Sequence, residues 1–199
     1  MLILSHSDPK CAASVTASEL VDNHVRQIRM ALMKCRGITN ICLYGWSMGG
    51  AILSKVLSII NQKKADAHMM KKADLPFKSL ETCSIFVDRS FESLTKLTRC
   101  TDAFFGYLPI ASLIWPLLGW QICPKLAIRD ICEKPSDMSV SIYINTARND
   151  DMLGSGKLTN KGLFSSCKTT VHSRVSDLSH NSIDKDVLDV NEYNSCKPL

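Results

Sequence analysis

The sequence lacks any C-x-x-C pair, although nine of its 199 residues are cysteine. The absence of such pairs argues against a zinc ribbon, and the odd cysteine count argues against a secreted scaffold stapled by disulfides. Cys42 and Cys83 lie inside apolar runs, where a buried free thiol is the expected state. We therefore predict a reducing compartment, with neither a metal ion nor a cofactor bound.

Two further features are missing. The positive charges, which give a net charge of +5, form no stripe interleaved with aromatic residues, so nucleic acid is not an expected partner. Only the lysine pairs at 63–64 and 71–72 are clustered, and we expect them at solvated helix ends.

The first residues, M-L-I-L-S-H, have neither the basic start nor the long apolar core of a signal peptide, which predicts a cytoplasmic protein.

Hydrophobic residues make up 45% of the chain and charged residues 22%, which suits one packed domain over residues 1–199. Apolar positions recur at helical spacing from a cap at Thr16 or Ser18 to about Cys35, and His24 is expected to pack within that stripe. Apolar or alternating runs predict further strands over residues 83–88, 139–147 and 168–175.

Residues 41–51, I-C-L-Y-G-W-S-M-G-G-A, predict a strand, a sharp turn and a helix, with the turn spelled G-x-S-x-G. This pattern is typical of a nucleophile elbow, which projects the hydroxyl of Ser47 from a strained turn. We expect Gly45 and Gly49 to be required because a side chain at either position would collide across the turn. The N–H of Met48, at the positive end of the helix, would donate to an oxyanion. A glycine-rich turn without a catalytic role is the alternative.

A serine nucleophile needs a histidine base and a carboxylate that orients the histidine. Two later loops contain such residues. Asp150 follows the strand predicted at 139–147, and His180 follows the strand predicted at 168–175. Because the carboxyl ends of parallel strands meet at one edge of a sheet, we expect both side chains to lie near Ser47.

Each assignment has a competitor. Asp151 is the alternative acid, and we prefer Asp150 because the apolar pair Met152 and Leu153 after it can anchor the loop. Either aspartate could instead be a turn residue or a helix cap. His172 lies within a predicted strand and is therefore a weaker candidate for the base than His180.

The motifs G-W-S-M-G-G, R-N-D-D-M-L and D-L-S-H-N, in this order, resemble the α/β-hydrolase superfamily. Residues 87–94, V-D-R-S-F-E-S-L, also resemble a D-R-[ST]-F-x-S-L pattern of α/β-hydrolase-like proteins from intracellular bacteria. The resemblance covers most of the chain. It implies an α/β fold with a mostly parallel central sheet flanked by helices, and a triad of Ser47, Asp150 and His180. It also implies hydrolysis of ester, thioester or amide bonds, in the bacterial cytoplasm or after delivery to a host cell.

The N-terminus departs from the family. Only 46 residues precede Ser47, and by spacing residues 1–4 correspond to the family's fourth strand. The resemblance therefore implies that earlier strands are missing, together with the loop that donates the second oxyanion N–H. A fragment, a disrupted reading frame and a shortened form that takes a strand from a partner are the three explanations. Loss of one oxyanion donor typically lowers the rate about 10²–10³-fold.

Residues 103–120 form an uncharged stretch of 18 residues that Pro109 and Pro116 interrupt. The preferred interpretation is a cap of one or two short helices over Ser47, within an insertion at residues 95–135, that supplies an apolar wall for an acyl chain. A surface that contacts a membrane peripherally and a membrane-spanning helix are the alternatives.

Taken together, these residues predict a serine hydrolase of the esterase or lipase type, acting on a small-molecule or lipid ester. The alternative is a catalytically impaired fragment, or a non-catalytic protein that keeps the hydrolase shape as an interaction module.

Overall fold

The computed structural model describes residues 16–35, 37–66, 72–100, 116–163, 165–166, 168–182 and 194–195. The helices are α1 (Ala17–Lys34), α2 (Met48–Ala65), α3 (Leu94–Cys100) and α4 (Pro124–Glu133), with 3₁₀ helices at Lys72–Ser79 and Gly154–Gly156. The strands are β1 (Asn40–Trp46), β2 (Thr82–Asp88), β3 (Ser139–Ala147), β4 (Thr169–Ser176) and β5 (Asn194–Ser195).

The described strands form one sheet in the order β1-β2-β3-β4-β5. The first four are parallel, and the two-residue β5 pairs with β4 in the antiparallel direction. Trp46 at the end of β1 lies opposite Asp88 at the end of β2, which in turn lies opposite Asn145 in β3. The structure confirms the predicted α/β fold with a mostly parallel sheet, and the register brings the carboxyl ends of the long strands to one edge.

Helix α1 begins at a capping box, one of the two caps that the sequence allowed. The Thr16 hydroxyl accepts from the N–H of Glu19, and the Glu19 carboxylate accepts from the N–H of Thr16 at 2.7 Å. His24 is buried on the apolar stripe, and its Nδ1 lies 2.7 Å from the carbonyl of Leu20. The predicted packing role of His24 is confirmed.

The main core lies between the sheet and the helices α1, α2 and α4, of which α2 contacts both of the others. Ile128 and Ile131 of α4 are fully buried there, so this part of the predicted 95–135 insertion belongs to the core. Residues 101–115, on which the cap prediction depends, lie outside the described residues. None of the helices in the described parts of the chain is both long and apolar enough to cross a membrane.

The lysine pair at 63–64 lies in the last turn of α2, which ends at Ala65. The helix places Lys64 on the same face as the buried Ile60. Lys64 is therefore buried, where its ammonium donates to the carbonyls of Lys78 and Leu80 and pairs with Asp137 at 3.0 Å. The expectation of a solvated helix end is wrong at Lys64.

The two cysteines predicted to be buried have different environments. Cys83 is buried in β2, as expected, but Cys42 is exposed. Strand β1 lies at one end of the described sheet, and its side chains alternate, with Leu43 buried and Cys42 exposed. The prediction for Cys42 is wrong because the apolar run did not reveal that only one face of β1 is covered.

Candidate functional site

A single residue separates β1 from α2. Ser47 follows Trp46 and precedes Met48, with φ 52° and ψ −119°. A positive φ in a residue other than glycine costs about 1–3 kcal/mol and is tolerated only where neighbouring structure enforces it. One constraint is visible in the backbone, because the N–H of Ser47 donates to the carbonyl of Asp88 at 2.8 Å. The predicted strand, sharp turn and helix are therefore present, with Ser47 at the turn.

The structure brings Ser47, Asp150 and His180 together. His180 Nε2 lies 3.1 Å from Ser47 Oγ, and His180 Nδ1 lies 2.8 Å from Asp150 Oδ2. Asp150 and His180 are only 3% and 2% exposed. Because a carboxylate only accepts hydrogen bonds, we assign the proton to Nδ1, which leaves Nε2 free to accept from the serine hydroxyl.

Asp150 rather than Asp151 contacts the histidine. The Oδ1 atom of Asp150 accepts from the N–H of Leu153 at 2.9 Å, so the other carboxylate oxygen is directed at His180. Leu153 is buried and anchors this loop, whereas Met152 is half-exposed, so only one member of the predicted apolar pair serves as the anchor. Asp151 is exposed.

Two further side chains hold the elements that carry Ser47, Asp150 and His180. Lys157 donates to the carbonyls of Ala147 at 2.6 Å and Arg148 at 3.0 Å, which ties down the end of β3 just before Asp150. Trp46 lies against His180 with ring centroids 5.3 Å apart, and its indole N–H donates to the His180 carbonyl at 3.3 Å. Sequence reasoning missed both residues.

The three glycines around Ser47 have different environments. A Cβ added to Gly45 would lie 2.7 Å from backbone atoms of Gly49 and Gly50, so the predicted collision holds there. A Cβ added to Gly49 would meet nothing within 4 Å, so the steric reason given for Gly49 is wrong. The second crowded position is Gly50, where a Cβ would lie 2.8 Å from the Gly45 carbonyl oxygen. The first turn of α2 therefore packs against β1 at Gly50, whereas a side chain at position 49 would point away from this contact.

Replacing Gly45 with Ala should therefore disrupt the elbow, while Gly49→Ala should be tolerated. The methyl group added in Gly45→Ala would clash with backbone atoms, which cannot turn aside as a flexible side chain can. We therefore expect the free energy of unfolding to fall by several kcal/mol, which is among the largest effects of single substitutions. Gly49→Ala should instead raise stability by about 0.4–1 kcal/mol, because alanine meets no atom there and leaves the unfolded chain with less conformational freedom than glycine does. Urea unfolding of both variants measures the difference, and equal destabilisation would contradict the steric assignment.

A buried polar group lies at the carboxyl ends of the first three strands. The Asp88 carboxylate, which is fully buried, accepts from the Tyr44 hydroxyl at 2.9 Å and from the Asn145 amide at 2.7 Å. Burial, together with the negative charge of Asp88, raises the pKa of the Tyr44 phenol, so that the hydroxyl remains a donor. In the sequence, Asp88 was noted only as part of the resemblance. A signal for its role is the Asp-Arg pair at the end of an apolar strand, because charged groups that become buried require partners.

The competing histidine lies elsewhere in the sheet. His172 stacks on Tyr143 with ring centroids 4.8 Å apart, and Tyr143 stacks on Phe86 at 4.4 Å. Burial lowers the pKa of His172, which favours the neutral ring within this stack. His172 is thus part of an aromatic ladder across β2, β3 and β4, and the imidazole within hydrogen-bond distance of the Ser47 hydroxyl is that of His180.

The described part of the predicted cap, residues 116–120, lies beside a cavity to which Ser47, Asp150 and His180 do not contribute. Leu117 and Leu118 are exposed, and Pro116 and Gly119 line a cavity of about 700 Å³ between α1, α2 and α4. None of the triad residues lines this cavity. The roof and acyl-wall predictions for residues 103–115 lie outside the described residues.

Comparison with models of known protein families gives no match to this chain, and comparison with curated protein sequences gives none either. Function must therefore be inferred from the geometry and chemistry of the site itself.

Proposed function

We propose that the protein is a serine hydrolase that cleaves an ester, a thioester or an acyl-lipid bond. The observation that carries the proposal is the continuous chain of contacts from Asp150 through His180 to Ser47, with distances of 2.8 and 3.1 Å. A hydroxyl in hydrogen-bond contact with a buried imidazole, itself oriented by a buried carboxylate, is the arrangement that activates serine for acyl transfer. The positive φ of Ser47 supports it, because strained residues cluster at sites where a side chain must be presented.

The chemistry proceeds in two halves. Ser47 Oγ attacks the substrate carbonyl while His180 Nε2 accepts the hydroxyl proton, and Asp150 stabilises the imidazolium that forms. The tetrahedral intermediate collapses, the bond to the leaving group breaks, and His180 returns the proton to the departing alcohol or thiol. Water then attacks the acyl-serine with His180 as the base, which releases the carboxylic acid and restores the Ser47 hydroxyl.

The developing oxyanion requires hydrogen-bond donors. Met48 is the first residue of α2. The first helical hydrogen bond to the Ser47 carbonyl is donated by the N–H of Ala51. The N–H groups before Ala51 therefore lie at the positive end of an 18-residue helix, directly after the nucleophile. We assign the Met48 N–H as the donor that the reaction uses.

Labelling with a fluorophosphonate tests the proposal. This probe phosphonylates a serine only where a base activates the hydroxyl, so the folded protein should gain one adduct, which peptide mass spectrometry should locate on Ser47. Heat-unfolded protein, which keeps every serine but loses the contacts of Ser47 with His180, is the matched control and should stay unlabelled.

Two outcomes would contradict the proposal in different ways. An adduct on another serine would show that Ser47 is not the nucleophile. A folded protein that takes no adduct and does not hydrolyse p-nitrophenyl acetate would instead favour a non-catalytic protein that keeps the hydrolase geometry.

A further inference from the structure

We propose that Arg89 is a positioning residue whose guanidinium holds the loop of His180 at the distance that Ser47 requires. This inference rests on the proposed function, because it concerns the same site. Arg89 does not contact any of the three triad side chains in the hydrogen bonds described. It acts through the backbone of the loop after β4.

Arg89 contacts the loop backbone on both sides of His180 in the sequence. Arg89 Nη1 donates to the carbonyl of Ser179 at 3.1 Å and also to the carbonyl of Ser182. Between these two, the carbonyl of His180 accepts from the indole N–H of Trp46. Donors from the ends of β1 and β2 thus hold three carbonyls of the loop, which limits how far the imidazole can move from Ser47.

The other side of the guanidinium is fixed to the sheet. Arg89 Nε donates to Asp88 Oδ1 at 3.0 Å, and Nη2 donates to Asp88 Oδ2 at 2.7 Å. The two side chains are 4% and 0% exposed, so the pair is shielded from water and salt. Since Asp88 also accepts from Tyr44 and Asn145, this carboxylate ties Arg89 to β1 and β3 as well as to its own strand.

The backbone of the same dipeptide constrains the nucleophile. The carbonyl of Asp88 accepts from the N–H of Ser47 at 2.8 Å, and the N–H of Arg89 donates to the carbonyl of Asn145 at 2.8 Å. Among the described residues other than glycine, only Ser47 and Arg89 have a positive φ, of 52° and 46°. One strained dipeptide therefore holds the turn of Ser47 through its backbone and the loop of His180 through its side chain.

This geometry matters because proton transfer between Ser47 and His180 requires hydrogen-bond contact. A displacement of about 1 Å at a reacting group lowers rates about 10²-fold. Lysine cannot replace the guanidinium here, because a single ammonium lacks the planar fork that contacts Asp88 and the loop carbonyls at once.

Two variants test the role of Arg89. Arg89→Lys keeps the charge that balances the buried Asp88, and Arg89→Gly suits a φ of 46° while leaving space for free guanidinium ion. We expect both to lower the rate constant of phosphonylation at Ser47 about 10²-fold. Guanidinium ion, at concentrations far below those that unfold proteins, should restore much of the rate in Arg89→Gly but not in Arg89→Lys.

The matched control is Arg148→Gln. Arg148 pairs with Asp177 at 3.1 Å, just before the same loop, but this pair is largely exposed. Exposed pairs contribute about 0–1 kcal/mol, so its loss should leave the labelling rate within about fivefold of the wild type. A comparable loss in Arg148→Gln and Arg89→Lys would show that the loop responds to any lost contact, and would overturn the special role of Arg89.

A second readout does not depend on turnover. The proton on His180 Nδ1, shared with Asp150, should give a downfield ¹H resonance that is lost or broadened in Arg89→Gly and returns with guanidinium ion.

If the wild type labels on Ser47 while both Arg89 variants label equally fast and keep this resonance, the inference fails and the proposed function stands. If the wild type neither labels nor hydrolyses p-nitrophenyl acetate, the proposed function fails, and the resonance still reports whether Arg89 positions the histidine. If Arg89→Gly does not fold, the rate and resonance of Arg89→Lys decide.

Discussion

Replacing Ser47 with Ala should abolish ester hydrolysis while the fold is kept. In an enzyme with this triad the loss of the nucleophile costs about 10⁶-fold in kcat, because neither the acyl-enzyme nor the proton transfer through His180 can form. Alanine tolerates the positive φ of residue 47 about as poorly as serine does, so the strain of the turn is nearly unchanged. Hydrolysis of p-nitrophenyl acetate, with circular dichroism to verify folding, measures the effect.

Ser54→Ala is the matched control for this prediction. Ser54 is a buried serine on α2, the helix that follows Ser47, and its hydroxyl donates to the carbonyl of Gly50 at 2.8 Å. Its removal should leave kcat nearly unchanged. Residual hydrolysis in Ser47→Ala at more than about a tenth of the wild-type rate would exclude Ser47 as the nucleophile, since the reaction would then run without it.

Asp150→Asn should lower kcat about 10⁴-fold, the size of effect that follows when the orienting carboxylate of a triad becomes an amide. Because the Oδ1 position accepts from the Leu153 N–H, the amide would keep its oxygen there and direct its NH₂ group at His180 Nδ1. Nδ1 would then have to accept, so the proton would move to Nε2, which could no longer accept from the Ser47 hydroxyl. Substrate binding should change little, because Asp150 is buried behind the histidine. Steady-state kinetics that separate kcat from KM measure this.

The neighbouring Asp151 provides the control, since the same chemical change can be made one residue away. Asp151 is exposed, so Asp151→Asn should leave kcat within about twofold, as surface substitutions usually have small effects. A larger loss for Asp151→Asn than for Asp150→Asn would reverse the assignment of the triad acid.

The elements that local pattern controls were predicted well. Strand β3 was expected at 139–147 and lies at Ser139–Ala147, because its apolar and polar residues alternate with the period of a strand. The turn at Ser47 was predictable for a related reason, since glycines between a β run and a helix leave few other conformations. Asp150 and His180 were predictable as neighbours of Ser47 because parallel strands place their following loops at one edge of the sheet.

Other features depend on contacts between residues distant in sequence, which no local pattern contains. Whether Gly49 or Gly50 is crowded depends on how α2 crosses β1, and whether Cys42 is buried depends on which face of β1 is covered. The environment of Lys64 depends on the carbonyls of Lys78 and Leu80, which lie 14 and 16 residues away in the sequence.

The contacts of Arg89 show the difference most clearly. In the sequence Arg89 is one charged residue after a strand, 90 residues away from Ser179. In the structure its guanidinium joins Asp88, at the end of β2, to the loop that carries His180. A local pattern can specify the turn that presents Ser47, because the shape of a turn is set by its own residues. The support for the histidine loop is set by the packing of four strands side by side, and only the tertiary structure decides which side chain reaches it.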